Sequence, residues 1–206
     1  MRGHWLWVVA FGVVYPAVAL GAGSAKTGVV KGGITIGGRP TSDVVVSVEG
    51  LAQGKVKTQD TKLKTAKALM DQREVRFVPR VLAVLVGTTV EFPNNDKTFH
   101  NVFSTSEAKR FDLGLYAPGK SRSVVFDKAG VVRILCNVHP SMEGYVVVKG
   151  HPYYAVTDSR GNYSLNGVPL GKYRLEVWHP ELGTREVSFE LVREGEVLTL
   201  DVELKK

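Results

Sequence analysis

The sequence predicts an all-β protein built from short strands that are joined by tight turns. Its 206 residues include 22 glycines and 9 prolines, and 44% are hydrophobic. This composition suits many short strands and turns better than a helical bundle. Apolar and polar residues alternate with a period of two in several short runs, such as residues 172–177 and 187–191, which is the pattern of half-buried strands. We therefore expect no long helix anywhere in the chain.

Residues 1–25 have the features of a secretory signal peptide. Arg2 supplies a positive start, residues 5–20 are apolar, and small residues follow them. A retained membrane anchor is the alternative, but the apolar run is short for a spanning helix and is interrupted by Tyr15-Pro16. We expect cleavage of the signal, a periplasmic or otherwise exported protein, and no membrane span afterwards.

Strand and turn signals run through the remaining chain, and with the two resemblances given below they imply two interleaved units. The first unit has candidate strands at residues 28–36, interrupted by Gly32-Gly33, and at residues 44–48. Two strands alone are only marginally stable, so they must complete their sheet with a distant part of the chain. The predicted segments are a signal peptide (1–25), the first strands of the outer unit (26–56), a basic connecting loop (57–72), an inserted β-sandwich (73–150) and the remaining strands of the outer unit (151–206).

The chemistry of the chain is concentrated around its single cysteine. Cys136 is followed by His139 and Met142 at three-residue intervals, and His100 opens a strand-like run upstream. Two imidazoles, one thiolate and one weak thioether are the ligand set of a type 1 (blue) copper site. Pro140 stiffens the loop after His139 and removes a backbone donor near the site.

The lone cysteine supports the same interpretation, because cysteines of exported proteins normally pair. A buried structural thiol is the alternative explanation for Cys136 taken by itself. The neighbouring histidines and methionine favour the metal thiolate instead.

Residues 77–149 resemble a cupredoxin of the plastocyanin, pseudoazurin and amicyanin group. The resemblance rests on His100-Asn101 after the turn at residues 92–96, and on the short loop from Cys136 to Met142, which is most similar to that of amicyanin. It implies a Greek-key β-sandwich that holds one type 1 copper ion, which cycles between Cu(I) and Cu(II). It also implies that Asn101 ties the two ligand segments together.

The outer unit has a resemblance of its own. Residues 156–163 and 168–175 are similar to the carboxypeptidase regulatory-like, transthyretin-like sandwich, an Ig-like fold. The first strands of that family, with their Gly-x-Val and Val-x-Val runs, correspond here to residues 28–48, before the cupredoxin. The two resemblances together imply a cupredoxin sandwich inserted into a small Ig-like sandwich.

These features predict an exported blue-copper protein that carries single electrons between redox partners. The alternative is a periplasmic copper-trafficking protein without an electron-transfer role, but such sites favour sets rich in Met or Cys, and this chain has three methionines. We expect no enzymatic activity, because only His151 and His179 remain for a further copper cluster. The lysines of the connecting loop favour a solvated link between the units, and the alternative is a basic strip that docks on an acidic surface of the redox partner protein. We expect no nucleic-acid partner.

Trp178 stands out in the last predicted strands. Tyr173, Leu175 and Val177 share one face of their strand, whereas Trp178 falls on the opposite face beside charged residues. The ring either lies over the aliphatic stems of its neighbours, partly exposed, or packs between the two units.

Overall fold

The computed structural model describes residues 26–51 and 66–205, which form β-strands and turns and contain no helix. The all-β prediction is therefore confirmed. Over this part of the chain there is no helix with the length and apolarity to cross a membrane. The predicted signal segment (1–25) and the predicted connection as far as residue 65 lie outside the described residues.

The described residues form nineteen strands. In chain order these are β1 (Thr27–Ile36), β2 (Arg39–Pro40), β3 (Val45–Glu49), β4 (Lys67–Leu69), β5 (Asp71–Arg73), β6 (Arg76–Val78), β7 (Val81–Leu85), β8 (Thr88–Pro93), β9 (His100–Ser106), β10 (Lys109–Tyr116), β11 (Ser121–Phe126), β12 (Gly130–Leu135), β13 (Glu143–Lys149), β14 (Tyr154–Val156), β15 (Asn162–Pro169), β16 (Gly171–His179), β17 (Gly183–Leu191), β18 (Val197–Thr199) and β19 (Val202–Leu204).

The outer unit consists of β1–β3 and β14–β19, which form two sheets. In one sheet β1 pairs with β15 in antiparallel fashion and with β18 and β19 in parallel. The other sheet has the order β14-β3-β16-β17. Both sheets thus combine strands from before and after the inserted unit, because β1 and β3 find their pairing partners in the late strands. The insertion of one sandwich into another is confirmed.

The inserted unit consists of β4–β13. Its larger sheet has the order β10-β9-β12-β13-β7, its smaller sheet has the order β11-β8-β4, and β5 and β6 form a separate hairpin. The side chains between the sheets form a core that includes Phe92, Phe126, Ile134, Cys136 and Met142. The outer unit has its own core, so each unit is a sandwich in its own right.

The structure differs from the sequence prediction at two places. Gly32-Gly33 does not interrupt β1, which is continuous. Because Gly32 has no side chain, the backbone at Leu200 can pass close to it. The Leu200 amide donates to the Lys31 carbonyl at 2.8 Å. The end of the predicted connecting loop is also different, because residues 67–69 and 71–73 are short strands. Strand β4 exists because β8 supplies a parallel pairing partner that lies far away in sequence.

Trp178 packs between the two units, as one of the two interpretations predicts. Its side chain is 9% exposed and lies in an apolar cluster with Val45 of the outer unit and Val81 and Val147 of the inserted unit. The ring also meets that of Tyr145 edge to face, with the centroids 5.4 Å apart.

The close approach at Gly32 gives a test of the outer sheet. A Cβ atom at this position would lie 2.0 Å from the Leu200 carbonyl oxygen, so Gly32→Ala forces β1 away from the chain beside it. We expect a loss of about 1–3 kcal/mol in the free energy of unfolding, which is the usual cost of overpacking. Urea denaturation of the full chain measures it.

Gly33→Ala is the matched control, because its nearest neighbour, Asp201 Oδ1, would lie 3.6 Å from the new Cβ, an ordinary contact. Its free energy of unfolding should stay within about 1 kcal/mol of the wild-type value. Equal effects of the two substitutions would contradict the close packing at Gly32.

Candidate metal centre

Two pairs of strands bring the predicted ligands to one end of the inserted sandwich. His100 is the first residue of β9, and Cys136 directly follows the last residue of β12. Strands β9 and β12 are neighbours that meet at Leu135 and Phe103. His139 lies in the loop that joins β12 to β13, and Met142 is the last residue of that loop. Strand pairing therefore places the cysteine beside a histidine that lies 36 positions earlier.

Three of the four predicted ligands converge. The ligand atoms of His100, Cys136 and His139 all lie within 4.8 Å of one another. The Nδ1 atoms of the two histidines are 3.1 Å apart, and Cys136 Sγ lies 3.8 Å from His100 Nδ1. His100 and Cys136 are buried, whereas His139 is partly exposed, so the cluster meets solvent only on its His139 side.

Met142 is buried in the same core as Cys136. Its side chain is 1% exposed and lies in the apolar cluster between the two sheets. The Met142 amide donates to the His139 carbonyl at 2.9 Å, which closes the ligand loop into a turn. Pro140 is exposed on the outside of this turn.

The Asp96 carboxylate holds the outer nitrogen of His100. Asp96 Oδ2 lies 3.0 Å from His100 Nε2 and also accepts the Val75 amide at 2.7 Å. Because an ionised carboxylate only accepts hydrogen bonds, Nε2 must carry the ring proton, and Nδ1 then presents a lone pair to His139 and Cys136. The hydrogen bond from the Val75 amide, with those from Lys97 and His100, lowers the pKa of Asp96 from its ordinary value of 3.8 to about 2.

Asn101 connects β9 to the ligand loop. Its Oδ1 accepts the amide of Asn137, next to Cys136, at 3.4 Å, and its Nδ2 donates to Asp112 Oδ1 at 2.6 Å. Asp112 Oδ1 also accepts the Gly114 amide. The side chain of Asn101 is thus fixed between the loop and β10.

A buried polar network holds Tyr116, the residue that pairs with His100. Tyr116 pairs with His100 across β10 and β9, and its hydroxyl donates to the Phe92 carbonyl. Gln72 Nε2 donates to the Tyr116 hydroxyl at 2.6 Å, and Asn94 Nδ2 donates to the Tyr116 carbonyl. Burial of the phenol raises the pKa of Tyr116 to about 12, so the hydroxyl remains a donor.

Sequence reasoning missed Asp96, Gln72 and Tyr116. Asp96 stands in a polar stretch that predicts only a turn, and its contact with Val75 depends on the hairpin of β5 and β6. The one available signal was its position four residues before His100. Gln72 was assigned to the connecting loop, although it is fully buried.

Three exposed apolar side chains, named the rim below, lie next to site residues in the chain or in the sheet. Phe99, Leu115 and Val138 are 51%, 55% and 45% exposed. Phe99 precedes His100, Val138 precedes His139, and Leu115 pairs with Asn101. Single exposed apolar side chains are common on proteins, whereas a contiguous group of them marks an interaction site.

The donor set fits a single soft or borderline metal ion. With metal–nitrogen bonds of about 2.0–2.1 Å and a metal–sulfur bond of about 2.3 Å, two nitrogens on one ion lie roughly 3.1–3.4 Å apart, and a nitrogen and a sulfur lie roughly 3.5–4 Å apart. The distances of 3.1 Å and 3.8 Å match these values. The donors that the structure brings together, two imidazoles and a thiolate, suit copper and zinc.

Comparison with known families agrees with the two units. Residues 64–149 match the family of copper binding proteins, plastocyanin/azurin family, and residues 142–205 match the carboxypeptidase regulatory-like domain. The matches overlap at residues 142–149, which include β13, and strand pairing places β13 in the inserted sheet. No curated protein sequence matches the chain.

Several solved structures are similar to part of the chain. A purple cupredoxin from Nitrosopumilus maritimus is 28% identical, covering 41% of this chain and 99% of its own, with a TM-score of 0.36. A reduced point mutant of amicyanin is 22% identical and covers 52% and 99% of the two chains, with a TM-score of 0.38. A Cu-containing nitrite reductase from Thermus scotoductus SA-01 is 26% identical over 40% of this chain but only 22% of its own, with a TM-score of 0.39.

The bond network around Asp96 gives a test that needs no metal. Asp96→Ala leaves the Val75 and Lys97 amides and His100 Nε2 without their acceptor. We expect a loss of about 1–3 kcal/mol in the free energy of unfolding at pH 7, because two part-buried hydrogen bonds and one exposed hydrogen bond to a charged acceptor are lost. Asp127→Ala, which removes a surface carboxylate paired with Lys109, should cost much less.

The effect of Asp96→Ala should depend on pH in one direction. The folded-state pKa of Asp96 lies below its ordinary value, so its contribution is complete above about pH 4 and is lost as the pH falls through about 2. Denaturation at a series of pH values should show the gap between wild type and variant narrowing over that window. A gap that stays constant down to about pH 2 would contradict the assigned contacts.

Proposed function

We propose that the protein is an exported type 1 copper protein that carries single electrons. Residues 64–149 belong to the plastocyanin/azurin family of copper binding proteins, which supports this proposal. Residues 142–205 belong to the carboxypeptidase regulatory-like domains. His100, Cys136 and His139 would be the strong ligands of one copper ion, with Met142 as the weak axial ligand. The observation that carries the proposal is the convergence of His100 Nδ1, His139 Nδ1 and Cys136 Sγ within 4.8 Å.

The surroundings of the ligands suit rapid exchange of one electron. A bound copper ion would supply the change between Cu(I) and Cu(II). The protein would hold the ligands in place during that change, because Asp96 fixes the ring of His100 and Asn101 fixes the start of the loop. Hydrogen bonds from such outer residues orient the ligands and tune the metal.

The rim offers a place for a redox partner. His139 is the partly exposed ligand, and Phe99, Leu115 and Val138 lie next to site residues. Arg122 stands over the Tyr116 ring at 5.1 Å and reaches the Leu115 carbonyl, and no ion pair involves it among the described residues. An apolar patch with a guanidinium at its edge fits a partner with an acidic docking surface.

The arrangement favours a carrier over the alternative of copper trafficking and over an enzyme. A trafficking site needs an exposed set of ligands that exchanges its metal, whereas Cys136 and Met142 are 4% and 1% exposed. The remaining histidines of the described residues accept backbone amides through Nδ1: His151 from Tyr153, and His179 from Glu181 and Leu182.

Export is part of the proposal, with Arg2 and the apolar residues 5–20 as its support.

Addition of Cu(II) tests the thiolate. We expect an intense visible thiolate-to-copper band for the full chain and none for Cys136→Ser, because the serine hydroxyl cannot replace a thiolate donor. The circular dichroism of the β fold should be unchanged. His151→Ala, which removes a histidine outside the cluster, should keep the band. A colourless wild-type complex would favour trafficking or a structural role, and colour in Cys136→Ser would overturn the ligand assignment.

The reduction potential tests Met142. Met142→Leu should remain coloured and have a higher potential, because the variant loses a weak donor that stabilises Cu(II). Met70→Leu is the matched control, since Met70 is fully buried in the same core but lies outside the ligand loop. Voltammetry of both variants measures the shift. A potential that moves equally in both, or in neither, would mean that Met142 serves only in packing.

A further inference from the structure

Strand β13 is shared between the two units. Its even-numbered residues face the inserted core: Val146 and Val148 belong to that core, and Gly144 lies against Phe77 and Met70. Its odd-numbered residues Tyr145 and Val147 face the outer unit, in the cluster that contains Trp178. The period-two alternation of a strand thus gives each unit one complete face of β13.

The outer unit holds this strand along its length. At its far end, Lys149 Nζ lies between Glu49 Oε1 and Glu176 Oε1, at 3.2 Å and 2.5 Å. Lys149 is 12% exposed and the two carboxylates are 31% and 25% exposed, so the three charges form a partly buried group and not a fully exposed pair. In the middle, the Trp178 ring packs edge to face on Tyr145.

The near end of the strand adjoins the ligand loop. Glu143, the first residue of β13, directly follows Met142. Its carboxylate lies 4.0 Å from the Arg80 guanidinium, which is 3.2 Å from Glu181 of the outer unit. Arg80 also accepts the Tyr145 amide through its carbonyl, at 2.8 Å. Arg80 thus links Glu181 of the outer unit to Glu143, the residue next to the proposed axial ligand, and Glu143 also pairs with Arg133 of β12.

We propose that the outer unit positions the metal-ligand loop by clamping β13, with Trp178 and Glu176 as positioning residues for a site that they do not touch. The loop, residues 136–142, is anchored at one end by β12, and β12 and β13 are neighbours inside the inserted sheet. Its other anchor is β13, and the order of that anchor depends on both of its faces being packed. An effect of the outer unit on a copper ion rests on the proposed function. The coupling, by which the outer unit holds the ligand loop in place, is a property of the chain without metal.

Amide exchange in the metal-free full chain tests the coupling. The informative amides are those of Asn137, bonded to Asn101, and Met142, bonded to the His139 carbonyl. Trp178→Ala should accelerate their exchange about tenfold, because the clamp no longer opposes local opening of the loop. Phe189→Ala is the matched control: Phe189 is 8% exposed, lies on the neighbouring strand β17 and packs in the core of the outer unit.

A milder pair of variants covers the case in which Trp178→Ala fails to fold. Glu176→Gln keeps the shape of the side chain but removes one carboxylate from Lys149, whereas Glu186→Gln removes an exposed carboxylate that pairs with Arg174 on the same sheet. We expect Glu176→Gln to accelerate exchange at Asn137 and Met142 by a few fold, and Glu186→Gln to leave it unchanged. The copper-loaded Glu176→Gln protein should also show a shifted reduction potential.

The outcomes separate the coupling from the proposed function. Faster loop exchange in the interface variants alone supports the clamp, even if wild-type protein shows no copper band, in which case only the electron-carrier proposal fails. Loop exchange at the wild-type rate in both interface variants overturns the clamp. So does equal acceleration by Phe189→Ala and Glu186→Gln, because the effect would then reflect general destabilisation of the outer unit.

Discussion

The pairing of β3 with β14 is the constraint on which the rest of the structure depends. Val45, Val46 and Ser47 pair with Val156, Ala155 and Tyr154, so the chain leaves the outer sheet and returns to it through neighbouring strands. The cost of closing such a loop in the outer unit grows only slowly with the length of the insertion, and a folded insertion holds its own ends together. Each unit is then free to bury a core of its own.

The return of the chain to β3 through β14 also places the β14-β3-β16-β17 sheet against the inserted sheet that contains β13 and β7. Strands β3 and β16 bury Val46, Val48, Leu175 and Val177 in the outer core, and they turn Val45 and Trp178 toward the inserted unit. Strand β13 is likewise apolar on both faces. Tyr145 and Trp178 meet edge to face, a favourable geometry for aromatic pairs. The two units are therefore related by packing and by the Lys149 charge group, and not by the two connections alone.

The metal centre lies at the end of this arrangement, where irregular segments are held by side chains. The turn that contains Asp96 is held by an amide of the β5–β6 hairpin, and Asp96 in turn orients His100. The ligand loop is held by Asn101 at its start and by β13 at its end. The single cysteine of the sequence lies close to the Nδ1 atoms of two imidazoles, and this place gives it a chemical reason.

The sequence alone determined the features that depend on local pattern. Alternation of apolar and polar residues predicted the strands, and the motifs around His100 and Cys136 predicted the kind of fold and a set of metal ligands. The split between residues 28–48 and 151–206 predicted the insertion, since two strands cannot fold alone. Tertiary structure decided what depends on pairing over long distances: the strand at residues 67–69 needs β8, the continuity of β1 at Gly32 needs Leu200, and the role of Asp96 needs Val75. It also decided between the two interpretations of Trp178. Periodicity gives the face on which a side chain lies, but only the packing of a second sheet determines what covers that face.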